Sequence, residues 1–198
     1  MFRATPESPR MFESDFVDAF SRVVWWVVPL IWLPVAAALM LKGLSLGVPV
    51  AAAAGCWVLG WFAWTLAEYS LHRWPFHWRF GGGKLGDRLH FLMHGVHHEW
   101  VHDRLRLVMP PAVSAGLFAL FWGFWLLVAG EVWMFPIYSG FVFGYVVYDC
   151  VHYATHHGRF DNRVFKRLKA HHMNHHFNHP EKKFGVSTTF WDHVFRTW

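Results

Sequence analysis

The sequence predicts an all-α integral membrane fold: four transmembrane helices with a cytoplasmic helical cap. Composition, charge-free runs and the placement of basic residues predict it. Across 198 residues, 55% are hydrophobic, 20% aromatic and only 16% charged, against about 45–50% apolar and about 25% charged in ordinary soluble domains. Four runs carry no charge, Val23–Leu41, Gly43–Ala67, Leu107–Gly130 and Val132–Tyr148, and a bilayer span needs roughly 20 apolar residues. Of the 18 Lys and Arg residues, only Lys42 falls in the turns at 42–47 and 130–131. By the positive-inside tendency, both termini and the segment 68–106 are therefore cytoplasmic.

Residues 1–22 read as an interfacial segment. Phe12, Phe16, Phe20 and Val23 recur at helical spacing among Glu13, Asp15 and Asp18, the pattern of an amphipathic helix on a membrane surface. The start is polar and lacks the basic-then-apolar layout of a cleavable signal peptide. A single membrane domain, 23–198, follows, with spans near 23–41, 48–67, 111–130 and 132–148. Pro29 and Pro34 kink the first span. The last, at 17 residues, reaches only about 26 Å, short of the roughly 30 Å hydrocarbon core, and so ends inside protein at the boundary. Trp25, Trp26, Trp32, Trp57, Trp61 and Trp64 read as anchors and packing residues rather than a groove for an acyl chain. Gly140 and Gly144 permit close helix packing. Cys56 and Cys150, the only cysteines, do not form a disulfide framework. The basic balance suits anionic lipid headgroups better than nucleic acid.

The cap, 68–106 with 149–198, holds all 16 histidines. Ten of them form four groups: His72 and His77; His94, His97 and His98; His152 and His156; His172, His175 and His176. Triplets at i, i+3, i+4 place imidazoles on one side of a helix, and ten imidazoles suit two metal ions. The expected site is thus histidine-rich and dinuclear. Glu68 lies four residues before His72, and Asp149 lies on the stripe of His152 and His156. Each is a candidate to accept the outward ring N–H of a ligand. His98-Glu99-Trp100-Val101-His102 matches the H-E-x-x-H metalloprotease pattern, but that reading would leave the other three groups without a purpose.

At the level of motifs the chain resembles the membrane fatty acid hydroxylase and sterol desaturase superfamily, and within it the fatty acid 2-hydroxylases. The resemblance runs from Glu68 to Thr197 through EYxxHRxxFH (68–77), HFLMHGxHH (90–98), RLVMPP (106–111), YDxxHYxxHH (148–157), LKAHHxxHHF (168–177) and FGVSTxFWDxVF (184–195). It implies a dinuclear metal centre held by His72, His77, His94, His97, His98, His152, His156, His172, His175 and His176, with His90, His157 and His171 as supporting or surface residues. It implies two irons as the working metals, zinc being an inert substitute, and O2 as co-substrate, with no bound organic cofactor. The implied reaction is hydroxylation of C2 of a fatty acyl chain, using two external electrons. Eukaryotic relatives carry an N-terminal cytochrome b5 domain for which there is no room before the first span. The resemblance therefore implies a separate donor, cytochrome b5-like or a ferredoxin with its reductase. The expected location is a bacterial cytoplasmic membrane, or the endoplasmic reticulum in a eukaryote. The alternatives are hydroxylation or desaturation of a sterol or carotenoid by the same ligand layout, and a membrane metal-binding protein without catalysis.

Overall fold

The computed structural model describes residues 8–78 and 81–198; the start of the expected interfacial segment lies outside them. Eight α-helices are found among the described residues: α1 (Asp15–Phe20), α2 (Val27–Ser45), α3 (Val50–Leu71), α4 (Gly83–His90), α5 (Val96–Glu99), α6 (Pro111–His157), α7 (Arg163–Phe177) and α8 (Phe190–Val194). Two π-helical turns, His72–Phe76 and Phe91–Gly95, extend α3 and join α4 to α5.

Among the described residues three helices are long and apolar enough to cross a membrane: α2, α3 with its π-turn, and α6. The sequence reading expects four spans, and the difference lies at Gly130. There φ is 72° and ψ 172° inside what is otherwise a 47-residue helix, a backbone conformation natural only to glycine. The chain folds back at that point. Tyr138 OH donates to the Phe118 carbonyl at 2.5 Å, and the rings of Phe121 and Phe141 lie 4.7 Å apart. Helix α6 is therefore a hairpin of two apolar limbs, 111–129 and 131–157. The second limb does not stop at residue 148 but continues to His157, carrying Asp149, His152 and His156 beyond the apolar run.

Helices α3 and α6 meet almost backbone to backbone. A Cβ on Gly60 would stand 1.8 Å from the Ile137 carbonyl oxygen, one on Gly140 1.9 Å from that of Trp57, and one on Gly144 2.6 Å from the Trp64 Cβ. The small residues thus serve packing within the chain. Around this contact Trp32, Trp64, Phe118, Phe141 and Tyr145 interlock as the buried core. Ser139 Oγ donates to the Ala36 carbonyl at 2.7 Å, which satisfies a hydroxyl in an apolar setting. Trp25, Trp26 and Trp61 are exposed, as expected of anchors.

Helix α1 keeps part of the expected amphipathic pattern, since Phe16 and Phe20 are exposed. Asp18 departs from it. Rather than facing water, its buried carboxylate pairs with Arg22 and, at 3.0 Å, with Arg106, while accepting from the Met11 amide at 2.8 Å. Buried charge persists only when paired, so this cluster ties the N-terminal segment onto the cap.

Candidate metal centre

The four histidine groups come from the ends of long helices and from helices of the cap. The π-turn at His72–Phe76 explains the first pair. Residues five apart diverge widely on an α-helix, whereas a π-helix closes its hydrogen bonds from i to i+5. His72 and His77 therefore converge, with ring centroids 5.1 Å apart.

All ten predicted ligands come together, in two groups of five. One holds His72, His77, His94, His98 and His175; the other holds His97, His152, His156, His172 and His176. Within each, one ring nitrogen per residue lies within 4.8 Å of all the others. In the first group Nε2–Nε2 separations are 3.0 Å for His72–His94, 3.1 Å for His98–His94 and 3.1 Å for His77–His175. In the second they are 3.0 Å for His152–His97, 2.9 Å for His156–His172 and 3.1 Å for His176–His172. The groups touch, since the rings of His98 and His176 lie 4.3 Å apart.

The triplets do not serve one ion each. His94 and His98 enter the first group and His97 the second; His172 and His176 enter the second and His175 the first. Helix geometry is the cause. At about 100° per residue, positions i and i+4 diverge by only about 40°, whereas i+3 and i+4 are a full 100° apart.

Every one of these rings is electrically suited to a cation. Burial, then neighbouring imidazoles, hold His94, His97 and His172 well below the usual histidine range. The same causes push His77 and His98 down to about 3. The imidazoles are neutral and keep a lone pair for a metal. The tautomer of two is fixed by oxygen acceptors: His72 Nδ1–H donates to the Phe184 carbonyl at 2.6 Å, and His175 Nδ1–H to the Lys182 carbonyl at 2.5 Å. A carbonyl only accepts, so in both rings Nε2 is the free donor atom. Each group can hold a metal ion.

Residues 57–197 match the fatty acid hydroxylase family. The chain belongs to that family. The hydroxylase is 40% identical over 194 residues to the dihydroceramide fatty acyl 2-hydroxylase FAH1 of Arabidopsis thaliana, covering 98% of this chain and 81% of that protein. It is 36% identical over 208 residues to the fatty acid 2-hydroxylase of Rattus norvegicus, covering 95% of this chain and 56% of the rat protein. It also superposes on the solved structure of full-length scs7p, in which only the hydroxylase domain is visible, with a TM-score of 0.89 at 35% identity, over 96% of this chain and 72% of that one.

In the hydroxylase the two candidate carboxylates do something other than expected. Neither accepts from a histidine ring. Glu68 Oε1 accepts from the amides of Val186 (3.1 Å) and Ser187 (2.8 Å), and Oε2 from the Ser187 hydroxyl (2.6 Å). The far nitrogen of His72 is already taken by Phe184, so Glu68 holds the segment rather than the ring. Asp149 Oδ2 accepts from the Met109 amide at 3.3 Å, because its side chain turns toward the Arg106–Pro111 approach instead of along the His152 stripe. His102 is exposed and lies beyond the end of α5 at Glu99, so the H-E-x-x-H match has no helix to act on. His171 joins neither group; its Nε2 stands 3.0 Å from Asp192 Oδ2.

A cavity of about 480 Å³ opens onto both groups. Its lining brings His94, His97 and His152, with Asp149, Tyr148, Ser21 and Arg106, together with the apolar side chains of Leu107, Val108 and Met109 and of Val17 and Phe20 from α1. None of the six tryptophans weighed as groove residues lines it. Sequence reasoning did not reach these wall residues or Asp192. The motifs RLVMPP and FGVSTxFWDxVF were the available signal, but backbone amides and carbonyls leave no residue signature.

Proposed function

We propose that the chain is a membrane diiron monooxygenase that hydroxylates C2 of a fatty acyl chain, and that the two histidine pentads each hold one iron. The observation that carries it is the largely apolar cavity lined by His94, His97 and His152, members of both pentads. The nitrogen separations support the metal. Two nitrogens each about 2.1 Å from one ion would stand about 3.0 Å apart at a right angle and about 3.4 Å apart in a tetrahedron. In each pentad one ring nitrogen per residue lies within 4.8 Å of all the others, close enough for five donors to meet one ion. Five such donors suit a five- or six-coordinate redox metal rather than tetrahedral zinc. Iron bound there supplies O2 activation, which no side chain of the chain can provide.

The balance is one acyl C2–H and O2, with two electrons and two protons, giving the 2-hydroxyacyl product and water. The electrons come from a separate donor, a cytochrome b5-like protein or a ferredoxin with its reductase. The chain's residues bind and orient. The apolar lining takes the tail, and its position against the histidines decides which carbon reaches them, so selectivity is positional. The names of the Arabidopsis and rat relatives support an acyl group on a fatty acid or ceramide. The hairpin in α6 supports four crossings, α2, α3 and the two limbs, with the pentads at the cytoplasmic boundary. The membrane is a bacterial cytoplasmic membrane, or the endoplasmic reticulum of a eukaryote.

The test is lipid mass spectrometry of membranes expressing the wild type with a competent electron donor, with and without oxygen. New 2-hydroxyacyl lipids that require oxygen are expected. Their absence, with iron bound at two per chain, would overturn the assigned reaction.

A further inference from the structure

Residues 182–187 form a strap in which four consecutive amides and two carbonyls are taken by two buried carboxylates and two pentad histidines. Asp192 Oδ1 accepts from the Phe184 amide and Oδ2 from the Gly185 amide, both at 2.9 Å. Glu68 takes the next two amides, Val186 and Ser187, and the Ser187 hydroxyl. Four consecutive N–H groups are thus clamped by one residue from α3 and one from α8. The carbonyls of the same strap, Lys182 and Phe184, accept from His175 and His72. The Phe184 ring packs on the same side, its centroid 5.7 Å from His72, 5.5 Å from His77 and 5.6 Å from His175.

Asp192 is itself fixed. Thr197 Oγ1 donates to it at 2.8 Å, and His171 stands 3.0 Å away. Burial alone would raise its carboxyl, but the bonds from His171, Thr197 and Gly185 hold it below the usual carboxylate range. At Gly185 a Cβ would fall 2.1 Å from the Thr188 carbonyl oxygen and 2.8 Å from Asp192 Oδ2, so the turn admits no side chain.

Two of these bonds, from His72 to the Phe184 carbonyl and from His175 to the Lys182 carbonyl, reach rings of the pentad of His72, His77, His94, His98 and His175. The rings of the other pentad receive no bond from the strap; the buried Nδ1 atoms of His152, His172 and His176 have no hydrogen-bond partner among the described residues, and His156 is supported by the Val101 backbone instead. We infer that Glu68 and Asp192 are positioning residues that, acting through the strap, hold His72 and His175, two imidazoles of one pentad, so that the two metal sites are inequivalent and the strap-supported site binds its ion more tightly. This rests on the two-ion reading above. A carbonyl on the far ring nitrogen orients an imidazole and strengthens its donor nitrogen, and losing such a partner weakens metal affinity about 10- to 100-fold.

The test separates the sites before perturbing the strap. His172→Ala leaves only the strap-supported pentad intact, and His94→Ala only the other. Ferrous iron affinity is measured by chelator competition on each purified protein, with and without Glu68→Gln, Asp192→Asn or Ser187→Ala. The expected result is a 10- to 100-fold loss for Glu68→Gln and Asp192→Asn in the His172→Ala background, a smaller loss for Ser187→Ala, and no change for any of them in the His94→Ala background. Equal losses in both backgrounds would mean that the strap only stabilises the fold and would overturn the inference. So would no loss in either, with wild type still holding two ions and forming product. A wild type that binds no iron would instead overturn the two-ion reading and this inference with it.

Discussion

His97 and His98 are neighbours in sequence and belong to different metal groups. His97 Nε2 lies 3.0 Å from that of His152, whereas His98 Nε2 lies 3.1 Å from that of His94. The 100° between adjacent helical residues lets one short helix feed two centres and fixes how far apart those centres lie. His175 and His176 divide in the same way on α7. Single variants should therefore be informative. His97→Ala and His98→Ala are each expected to retain one iron per chain, and the double variant none. Product formation should fall on the order of 100-fold or more in each single variant, at least the loss that follows removal of a ligand's supporting partner. Metal analysis of the purified proteins checks the first expectation and product quantification the second.

Eight of the ten histidines were legible because helical spacing is a local property: two i, i+3, i+4 triplets and one i, i+4 pair announce themselves within five residues, whereas His72 and His77, five apart, were carried by the motif and meet only through the π-turn. The division of the triplets was not legible, because "one face" hides the 100° between i+3 and i+4. The expectation for Glu68 and His72 failed for a non-local reason. The carboxylate and the ring are four residues apart, but both are satisfied by a segment more than 110 residues away. The hairpin at Gly130 shows the opposite case. Two charge-free runs separated by Gly130-Glu131 correctly located the reversal, although the second limb runs on past its apolar stretch to place His152 and His156.

The cavity predicts a substrate effect that leaves the metal in place. Val108 is buried in its wall and ligates nothing. Val108→Phe adds volume where the acyl chain would lie. Iron content is expected to stay at the wild-type value while the apparent KM for long acyl substrates rises several-fold and shorter chains become relatively favoured. Competition between acyl chain lengths, read by mass spectrometry, measures it. An unchanged chain-length profile would place the acyl chain elsewhere.

The contact between α3 and α6 predicts intolerance of a single methyl group. At Gly140 the obstacle is the Trp57 carbonyl, and at Gly60 that of Ile137. Backbone cannot yield as a flexible side chain can, so the helices must separate, and overpacking of this kind costs about 1–3 kcal/mol or more. Gly140→Ala and Gly60→Ala should each lower the thermal midpoint in detergent, whereas Gly123→Ala, with open space around its Cβ position, should not. Equal midpoints for all three would mean that the close approach is not maintained in solution.

Asp18 supplies the last prediction, because it is the shared partner of two buried arginines. Arg22 also donates to Ser8 Oγ at 3.1 Å and Arg106 to Ser21 Oγ at 3.2 Å, but these are neutral acceptors and cannot balance two guanidinium charges. Asp103 lies 3.6 Å from Arg106 and compensates only part. Removing one member of a buried ion pair typically costs about 3–5 kcal/mol, because its partner is left charged and dry. Asp18→Ala is therefore expected to release the N-terminal segment from the cap before the helical hairpin melts. Since Val17 and Phe20 wall the cavity, release should expose residues 8–22 to protease and weaken binding of acyl substrate while both irons remain. Limited proteolysis with metal analysis on the same sample distinguishes this from global unfolding, in which protection and iron would be lost together.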